Sequence, residues 1–507
     1  MNALKTFISK LNRKYLLCAL SGTVCAALQS TVSVPFAALV CYMPMMYSLS
    51  RYSCRRDFLK AFLSFFLPYY FYQLVFLVAV YPQIDMHRGI AVTLLVAAVL
   101  ILTLWETLLM LLPVSLFPAL RRDRAYDVAT LSILIAGGEW LQESFPVLSF
   151  PWSSVWLSVT DSPVLLQSAN LLGCRIVTVT VLCINGFLAL SVVEKKRIVP
   201  IAAAAAVVAV SLGYGTLSIR HLKRVSQASQ DISVVIAQDE SEGRKKTIRT
   251  AGDCAGSYKG IIKSSAVTKA DLVIFPETAV PMEYDSGADE FCTVEGIAKS
   301  VGATVVNGCF YSFDGDEYNA VYAVDEKGSV SEPYFKQVLV PFGEKIPLAF
   351  LFGAGTLSEC SDEQHTKPLE TQLGKIGCAI CIESIYPATV KKQASQGAQI
   401  LCVCTNDSWF GGSYAREMHF RHSIMRAAEN GKFLLRSGNC GISALIMPTG
   451  EVGSIRTDTS KGVVTGKASL IDEQTFYSCT GDLFAVLPAS LAAAAIIRIY
   501  RNGRDSR

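Results

Sequence analysis

Charge is scarce in this chain. Only 17% of its 507 residues are Asp, Glu, Lys or Arg, against 51% hydrophobic ones. With a mean hydropathy of +0.37, that balance excludes an ordinary soluble protein and points to membrane spans. The formal net charge of +4 says little by itself, since its distribution matters more, and no nucleic-acid partner is expected. Zinc signatures are missing too: none of the 16 Cys forms a C-x-x-C pair matched by a second such pair. The run Glu417-Met418-His419-Phe420-Arg421-His422 places its Glu before both His residues, so it is not H-E-x-x-H. Helix packing or capping is expected of it, with no metal and no cofactor. A disulfide framework stays open, although a chain this long does not need one.

The apolar residues are concentrated early. Seven stretches long enough to span lie in the first 216 residues, with cores near 15–31, 33–50, 58–80, 89–116, 127–142, 164–193 and 198–216. A crossing takes about 20 apolar residues. The first is not expected to be a signal peptide, because no small-x-small cleavage site follows and more spans come at once. Leu483 to Ile497 supplies an eighth. Alternate loops and the C-terminal tail carry eighteen Lys and Arg, from Lys5 to Arg507, whereas the opposite short loops hold Arg88 alone. The positive-inside rule therefore puts both termini in the cytoplasm and residues 217–481 outside. Glu106 and Glu139 fall within apolar runs, and the favoured reading is a carboxyl bonded within the bundle or near the interface. Trp152 and Trp156 suit an interfacial belt.

Residues 217–230 are largely polar and read as a connector. Beyond them short β-rich runs alternate with helical stretches. The strands are expected at Ile232–Ala237, Leu272–Phe275, Thr304–Cys309, Ala320–Val324, Lys375–Ile380, Ile400–Cys404 and Ser443–Met447. The helices are expected near 287–301, 386–397 and 415–431. Such alternation argues for a layered α/β domain.

Chemistry centres on Gly377-Cys378-Ala379-Ile380-Cys381-Ile382-Glu383. The apolar run Ile376 to Ile380 reads as a buried strand, so Cys381 sits at a strand end, rigidly held yet reachable. A thiol needs a nearby base at neutral pH. No His is close to Cys381 in sequence, so a papain-like Cys–His pair lacks local support. Glu277, in Phe275-Pro276-Glu277-Thr278, is the candidate base on a Pro-flanked turn after a strand. Lys336, after Tyr334-Phe335, offers an ammonium for a developing oxyanion. Each element alone has a plain alternative, since a buried Cys is usually core and a Glu or Lys usually solvated. Together they form the parts of an acyl-transfer site.

The pieces FPETAVP, YFKQVLVPFGEKIP, CAICIES, TNDSWFG and RSGNCGIS, in this order and spacing, resemble those of apolipoprotein N-acyltransferases, membrane enzymes with a nitrilase-type domain. The resemblance extends through the membrane segments, including the Phe150-Pro151-Trp152 and Asp161-Ser162-Pro163 loop. It implies a nitrilase-like α-β-β-α sandwich domain inserted in a polytopic α-helical membrane domain: spans in 1–216, a catalytic domain in 217–481, and an eighth span with a cytoplasmic tail in 482–507. It implies Glu277, Lys336 and Cys381 as catalytic residues. The Ile382 N–H becomes a second oxyanion donor and Glu344 the partner that orients Lys336. Glu383 either supports the nucleophile turn or caps the next helix. Asn406, Trp409 and Phe410 resemble the segment closing the site over substrate, although Asn406 with Asp407 equally suits an Asx turn. His419 matches a family position and His422 does not. The apolar run Leu348 to Phe352 is either core or a lipid-dipping arm.

The implied activity takes an acyl chain from a phospholipid donor, through a Cys381 thioester, to the α-amino group of a diacylglyceryl-cysteine apolipoprotein acceptor. The setting is the bacterial cytoplasmic (inner) membrane. A membrane-tethered amidase of small amides shares the triad and is the alternative; a lipid-binding scaffold with a retired site is a third. Two departures bear on acceptor handling rather than on acyl-enzyme formation. Ile382 stands where the family commonly has an aromatic residue, and Gln238-Asp239-Glu240-Ser241 lacks the family's nearby Trp.

Overall fold

The computed structural model describes residues 13–30, 34, 36–84, 86–145, 148–240, 250–264, 269–281, 292–340, 344, 364–480 and 482–505. The run Leu348 to Phe352, Ser241 and the start of the helix expected at 287 lie outside these residues. The chain divides into two compact units, Met1–Thr216 with Asp482–Arg507, and Leu217–Gly481.

The first unit is helical. Among the described residues, five segments are long and apolar enough to cross a membrane: Arg55–Gln83, Arg88–Leu120, Cys174–Val193, Ile198–Ala228 and Leu483–Arg501. Helices Arg13–Ser30, Met43–Ser50 and Arg124–Ser144 pack among them. The apolar run at 164–193 is not one helix. It forms the single turns Pro163–Leu166 and Ala169–Leu172, then Cys174–Val193, broken at Gly173, whose φ of 75° no helix accommodates. Glu139 is bonded inside the bundle: it accepts the Val155 N–H at 2.6 Å and the Thr178 hydroxyl at 2.7 Å, with Arg175 at 3.5 Å. Trp152 and Trp156 are buried rather than displayed at a belt. The polar stretch read as a connector is instead the end of helix Ile198–Ala228, which reaches within two residues of the first strand.

The second unit contains two six-stranded sheets. In chain order the strands are β1 Gln230–Gln238, β2 Leu272–Ile274, β3 Thr304–Phe313, β4 Asp316–Val324, β5 Tyr334–Phe335, β6 Leu369–Glu370, β7 Lys375–Ile380, β8 Ile400–Asn406, β9 Leu434–Asn439, β10 Ser443–Ile446, β11 Val452–Arg456 and β12 Gly462–Leu470. One sheet runs β12-β1-β2-β3-β4-β5 and the other β11-β10-β9-β8-β7-β6. Each has three parallel strands at its centre, β1–β2–β3 and β7–β8–β9, flanked by antiparallel ones.

Side-chain alternation separates the layers. Val234, Ile236, Leu272, Ile274 and Val306 meet Ile376, Cys378, Ile380, Ile400, Cys402 and Cys404 in a core between the sheets. The alternate residues Val235, Ala237, Val273 and Val305 face outwards onto Tyr258, Ile261, Val294 and Ile297 of helices Ala251–Ser264 and Cys292–Val301. Helices Pro387–Ser395 and Ala415–Asn430 cover the other sheet. Central strands buried on both faces require continuous apolar runs, which is why β1, β7 and β8 stood out in the sequence. The α-β-β-α sandwich follows from this order of layers. Helix Ala415–Asn430 stops at Gly431, which takes the left-handed conformation of a C-terminal cap at φ 61°.

Candidate active site

The carboxyl ends of the central strands, where open α/β sheets place their ligands, bring the sequence-selected residues together. Glu277 follows β2, Cys381 follows β7, Asn406 ends β8, and Lys336 follows β5. Residue Cys381 has φ 51°, a left-handed conformation uncommon outside glycine, as the chain leaves β7 for the short turn Cys381–Ile385. Pro387 then opens the next helix, where a missing N–H costs nothing.

Lys336 is wholly buried between two carboxylates. Its ammonium donates to Glu344 Oε1 at 2.8 Å and to Glu277 Oε1 at 3.2 Å. The Asn319 amide donates to the same two oxygens, at 3.2 and 2.7 Å respectively. The remaining oxygens are held by main chain: Glu277 Oε2 accepts the Asn406 N–H at 2.9 Å, and Glu344 Oε2 accepts the Val340 N–H at 2.9 Å. Burial disfavours the ammonium, but Glu277 and Glu344 outweigh it and lift Lys336 above its ordinary value. For Glu344, burial is outweighed by Lys336, which holds the carboxylate below the ordinary range.

Burial and then the Glu277 charge push the Cys381 thiol up, against the opposing pull of Lys336 and a hydrogen bond with Thr405. Cys381 is therefore held as a thiol close to Glu277 and Lys336. A thiol held in this way would need a base in order to act as a nucleophile.

Glu383 resolves the choice left by the sequence. It is fully buried, and its carboxylate accepts the N–H groups of Gln337 at 2.6 Å, Val338 at 3.2 Å and Ile380 at 2.7 Å, with the Tyr334 hydroxyl at 2.9 Å. It ties the segment carrying Lys336 to the turn carrying Cys381. Burial pushes it up to about 7 despite these bonds. Asn406 does form an Asx-type turn, its side chain accepting the Ser408 N–H at 3.3 Å, while its own N–H serves Glu277. Trp409 and Phe410 lie half-buried on the following turn, and the Phe410 ring contacts His419 edge-on.

Sequence reasoning missed several members. Asn319, on β4, bonds both carboxylates. His419 carries no metal-type grouping, and among the described residues no cluster of His, Cys, Asp and Glu is arranged to hold a metal ion. Its Nε2 instead lies 3.0 Å from the Cys381 carbonyl oxygen, and its Nδ1 lies 2.9 Å from Asp407. Arg436, on a β9 that was not foreseen, donates to Asp407 at 2.8 Å. The Arg436 charge, followed by His419, overcomes burial and keeps Asp407 well below the usual carboxylate range. The only sequence signal for Arg436 was its place in RSGNCGIS.

The domain is of the carbon-nitrogen hydrolase class, and the family model so described matches residues 227–475. A second model, described as the apolipoprotein N-acyltransferase N-terminal domain, matches residues 21–187. The chain belongs to the apolipoprotein N-acyltransferase family. A relative of that name from Geobacter metallireducens is 24% identical, with 97% of this chain and 96% of the relative covered. Another from Chromobacterium violaceum is 29% identical over 72% of each. Among solved structures, Saccharomyces cerevisiae Nit3, a member of the nitrilase superfamily, is 15% identical with a TM-score of 0.39, covering 48% of this chain and 92% of that one.

Proposed function

We propose that the chain N-acylates apolipoproteins by a two-step, ping-pong reaction through Cys381. Glu277 takes the thiol proton as the sulfur attacks the ester carbonyl of a phospholipid. The Lys336 ammonium and the Ile382 N–H stabilise the tetrahedral oxyanion. The ester C–O bond breaks, Glu277 returns the proton to the departing glycerol oxygen, and a lysophospholipid leaves the acyl group as a Cys381 thioester. The α-amino group of a diacylglyceryl-cysteine then attacks. The amide C–N bond forms and the C–S bond breaks. Glu277 relays the proton from the amine to the thiolate, which restores the resting enzyme. Protons and groups balance without metal or cofactor.

The observation that carries this reading is the buried Glu277–Lys336–Glu344 constellation at the strand ends beside Cys381. An ammonium fixed between two carboxylates keeps its proton and can serve as an oxyanion donor. Glu344 and Asn319 hold Lys336 and Glu277 in place. Asn406, Trp409 and Phe410 border the substrate side, and both termini lie in the cytoplasm, with the catalytic unit outside. The matched N-terminal family domain favours lipid chemistry over hydrolysis of a small amide. The deciding experiment is intact-mass analysis after incubation with phospholipid, then with a diacylglyceryl-cysteine peptide. An acyl mass on Cys381 that moves to the peptide amine is expected; steady release of free fatty acid with no peptide product would overturn the transferase reading.

A further inference from the structure

The peptide that joins Cys381 to Ile382 is gripped from behind. The Cys381 carbonyl oxygen accepts the Ser384 hydroxyl at 2.9 Å and faces His419 Nε2 at 3.0 Å, so both of its lone pairs are engaged. His419 Nε2 also lies 3.0 Å from the Ser384 Oγ, and since a carbonyl only accepts, the Nε2 proton is assigned to the bond with the Cys381 oxygen. Nδ1 lies 3.0 Å from Arg436 Nη2 and 2.9 Å from the Asp407 carboxylate; burial and then Arg436 lower His419 below its ordinary value, against the opposing pull of Asp407. His419 is itself fixed. It is wholly buried on helix Ala415–Asn430 and lies against Asp407, which is held by Arg436 and by the Thr405 hydroxyl at 3.0 Å. A Cβ on Gly441 would lie 2.3 Å from the Asp407 carboxylate, so the loop after β9 closes on that group as well.

We propose that His419 and Ser384 are positioning residues for the oxyanion donor: by binding the Cys381 carbonyl they aim and strengthen the Ile382 N–H. This rests on the acyl-enzyme reading above and deepens it. In a planar trans peptide, C=O and N–H point in opposite directions. Whatever fixes the Cys381 carbonyl on the helix side therefore fixes the Ile382 N–H on the other. Hydrogen bonds to a carbonyl also polarise its amide and make the N–H a better donor. The left-handed Cys381 cannot settle this orientation alone, because φ at Cys381 leaves the plane of the next peptide free to rotate about ψ. Any L residue supplies the same N–H, so Ile382 in place of an aromatic leaves this function whole.

The test compares two reactions of one thiol. Alkylation of Cys381 by iodoacetamide needs the sulfur but forms no oxyanion, whereas acylation by phosphatidylethanolamine and phosphatidylglycerol in mixed detergent micelles needs both. His419→Leu should slow acylation by about tenfold to a hundredfold, within the range for weakening one oxyanion donor, and leave alkylation within about twofold. His419→Gln, whose amide can still donate to the carbonyl, should recover part of the loss. Ser384→Ala, a gentler change, should show the same split on a smaller scale. Acylation and alkylation falling in parallel in both the Ser384→Ala and His419→Gln proteins would overturn the proposal, as would normal acylation in His419→Leu. Wild-type protein that is alkylated at Cys381 but never acylated there would overturn the acyl-enzyme reading, and this proposal with it.

Discussion

The Glu383 carboxylate accepts the Gln337 N–H at 2.6 Å and, through its other oxygen, the Ile380 N–H at 2.7 Å. One side chain thus sets the distance between the residue after Lys336 and the residue before Cys381. Burial raises Glu383 from its ordinary 4.5 to about 7. The folded protein therefore holds a proton there that the unfolded chain releases above about pH 4.5. This contribution to stability is whole below that pH and is lost as pH rises through about 7. Glu383→Gln cannot titrate, and its NH2 group cannot accept a main-chain N–H. The variant should melt lower than wild type in detergent at every pH, and its melting temperature should fall less between about pH 5 and about pH 8. A variant with the same pH slope as wild type would mean that Glu383 titrates as an ordinary carboxyl.

Lys336 gives the second prediction. Lys336→Ala should slow acylation by about 10²–10³, the usual loss for one oxyanion donor, and it also leaves Glu277 and Glu344 facing each other across Asn319. Lys336→Arg should be poor as well, because a planar guanidinium cannot take an ammonium's place between two carboxylate oxygens. Single-turnover acylation followed by mass decides it. An Arg variant at the wild-type rate would show that only net charge matters at this position.

Gly308 on β3 lies hard against the turn that carries Glu277. A Cβ there would meet the Pro276 carbonyl oxygen at 2.7 Å, the Thr278 nitrogen at 2.8 Å and the Glu277 Cα at 2.9 Å, all main-chain atoms that cannot swing aside. Gly308→Ala should therefore push the Glu277 turn away from Lys336. It should cost about 1–3 kcal/mol of stability as overpacking and lower the acylation rate more than tenfold, by rough analogy with small misplacements of catalytic groups. Normal acylation in a folded Gly308→Ala protein would show that Glu277 tolerates displacement.

Glu277 and Cys381 were legible because each follows an apolar run that reads as strand, and strand ends converge in a layered fold; Lys336 follows only the two-residue β5 and was legible through the resemblance of its segment to the family. Asn319 and His419 were not. Their bonds reach 42 residues back to Glu277 and 38 back to Cys381, and no local pattern encodes such contacts. β5 and β6 have two residues each, too few for any period to register. β12 carries an irregular burial pattern and owes its pairing with β1 to tertiary context. Arg220, His221, Lys223 and Arg224 disguised the last turns of helix Ile198–Ala228, since a helix polar on most faces lacks the apolar stripe by which helices are read.

Two thiols compete for the nucleophile's role in CAICIES, and their placement separates them. Cys378 is 1% exposed in the core between the sheets, whereas Cys381 is at the strand end with Glu277 and Lys336 acting on it. Cys381→Ser should abolish turnover, because a hydroxyl is far less acidic than a thiol and a carboxylate base cannot ionise it well. Cys378→Ser should acylate normally and melt lower, having placed a hydroxyl in an apolar layer. Thioester detection in the two variants checks this, and the opposite pattern would name Cys378 as the nucleophile.

The topology proposed above rests on eighteen basic side chains in the loops expected on one side and in the tail, against Arg88 in the others. They predict that the catalytic unit faces outward, where the donor lipid comes from the outer leaflet of the cytoplasmic membrane. Among the described residues two thiols are exposed and free to report: Cys54, in a basic loop, and Cys479, in the catalytic unit. A membrane-impermeant maleimide applied to intact spheroplasts should label Cys479 and spare Cys54 until the membrane is opened. Gln227 is exposed near the end of helix Ile198–Ala228, so Gln227→Cys adds a second reporter remote in sequence from Cys479. It should add label to intact cells in a Cys479→Ser background. Labelling of Cys54 alone would place Cys381 in the cytoplasm, away from any emerging lipoprotein N-terminus, and would exclude an outer-leaflet acyl donor.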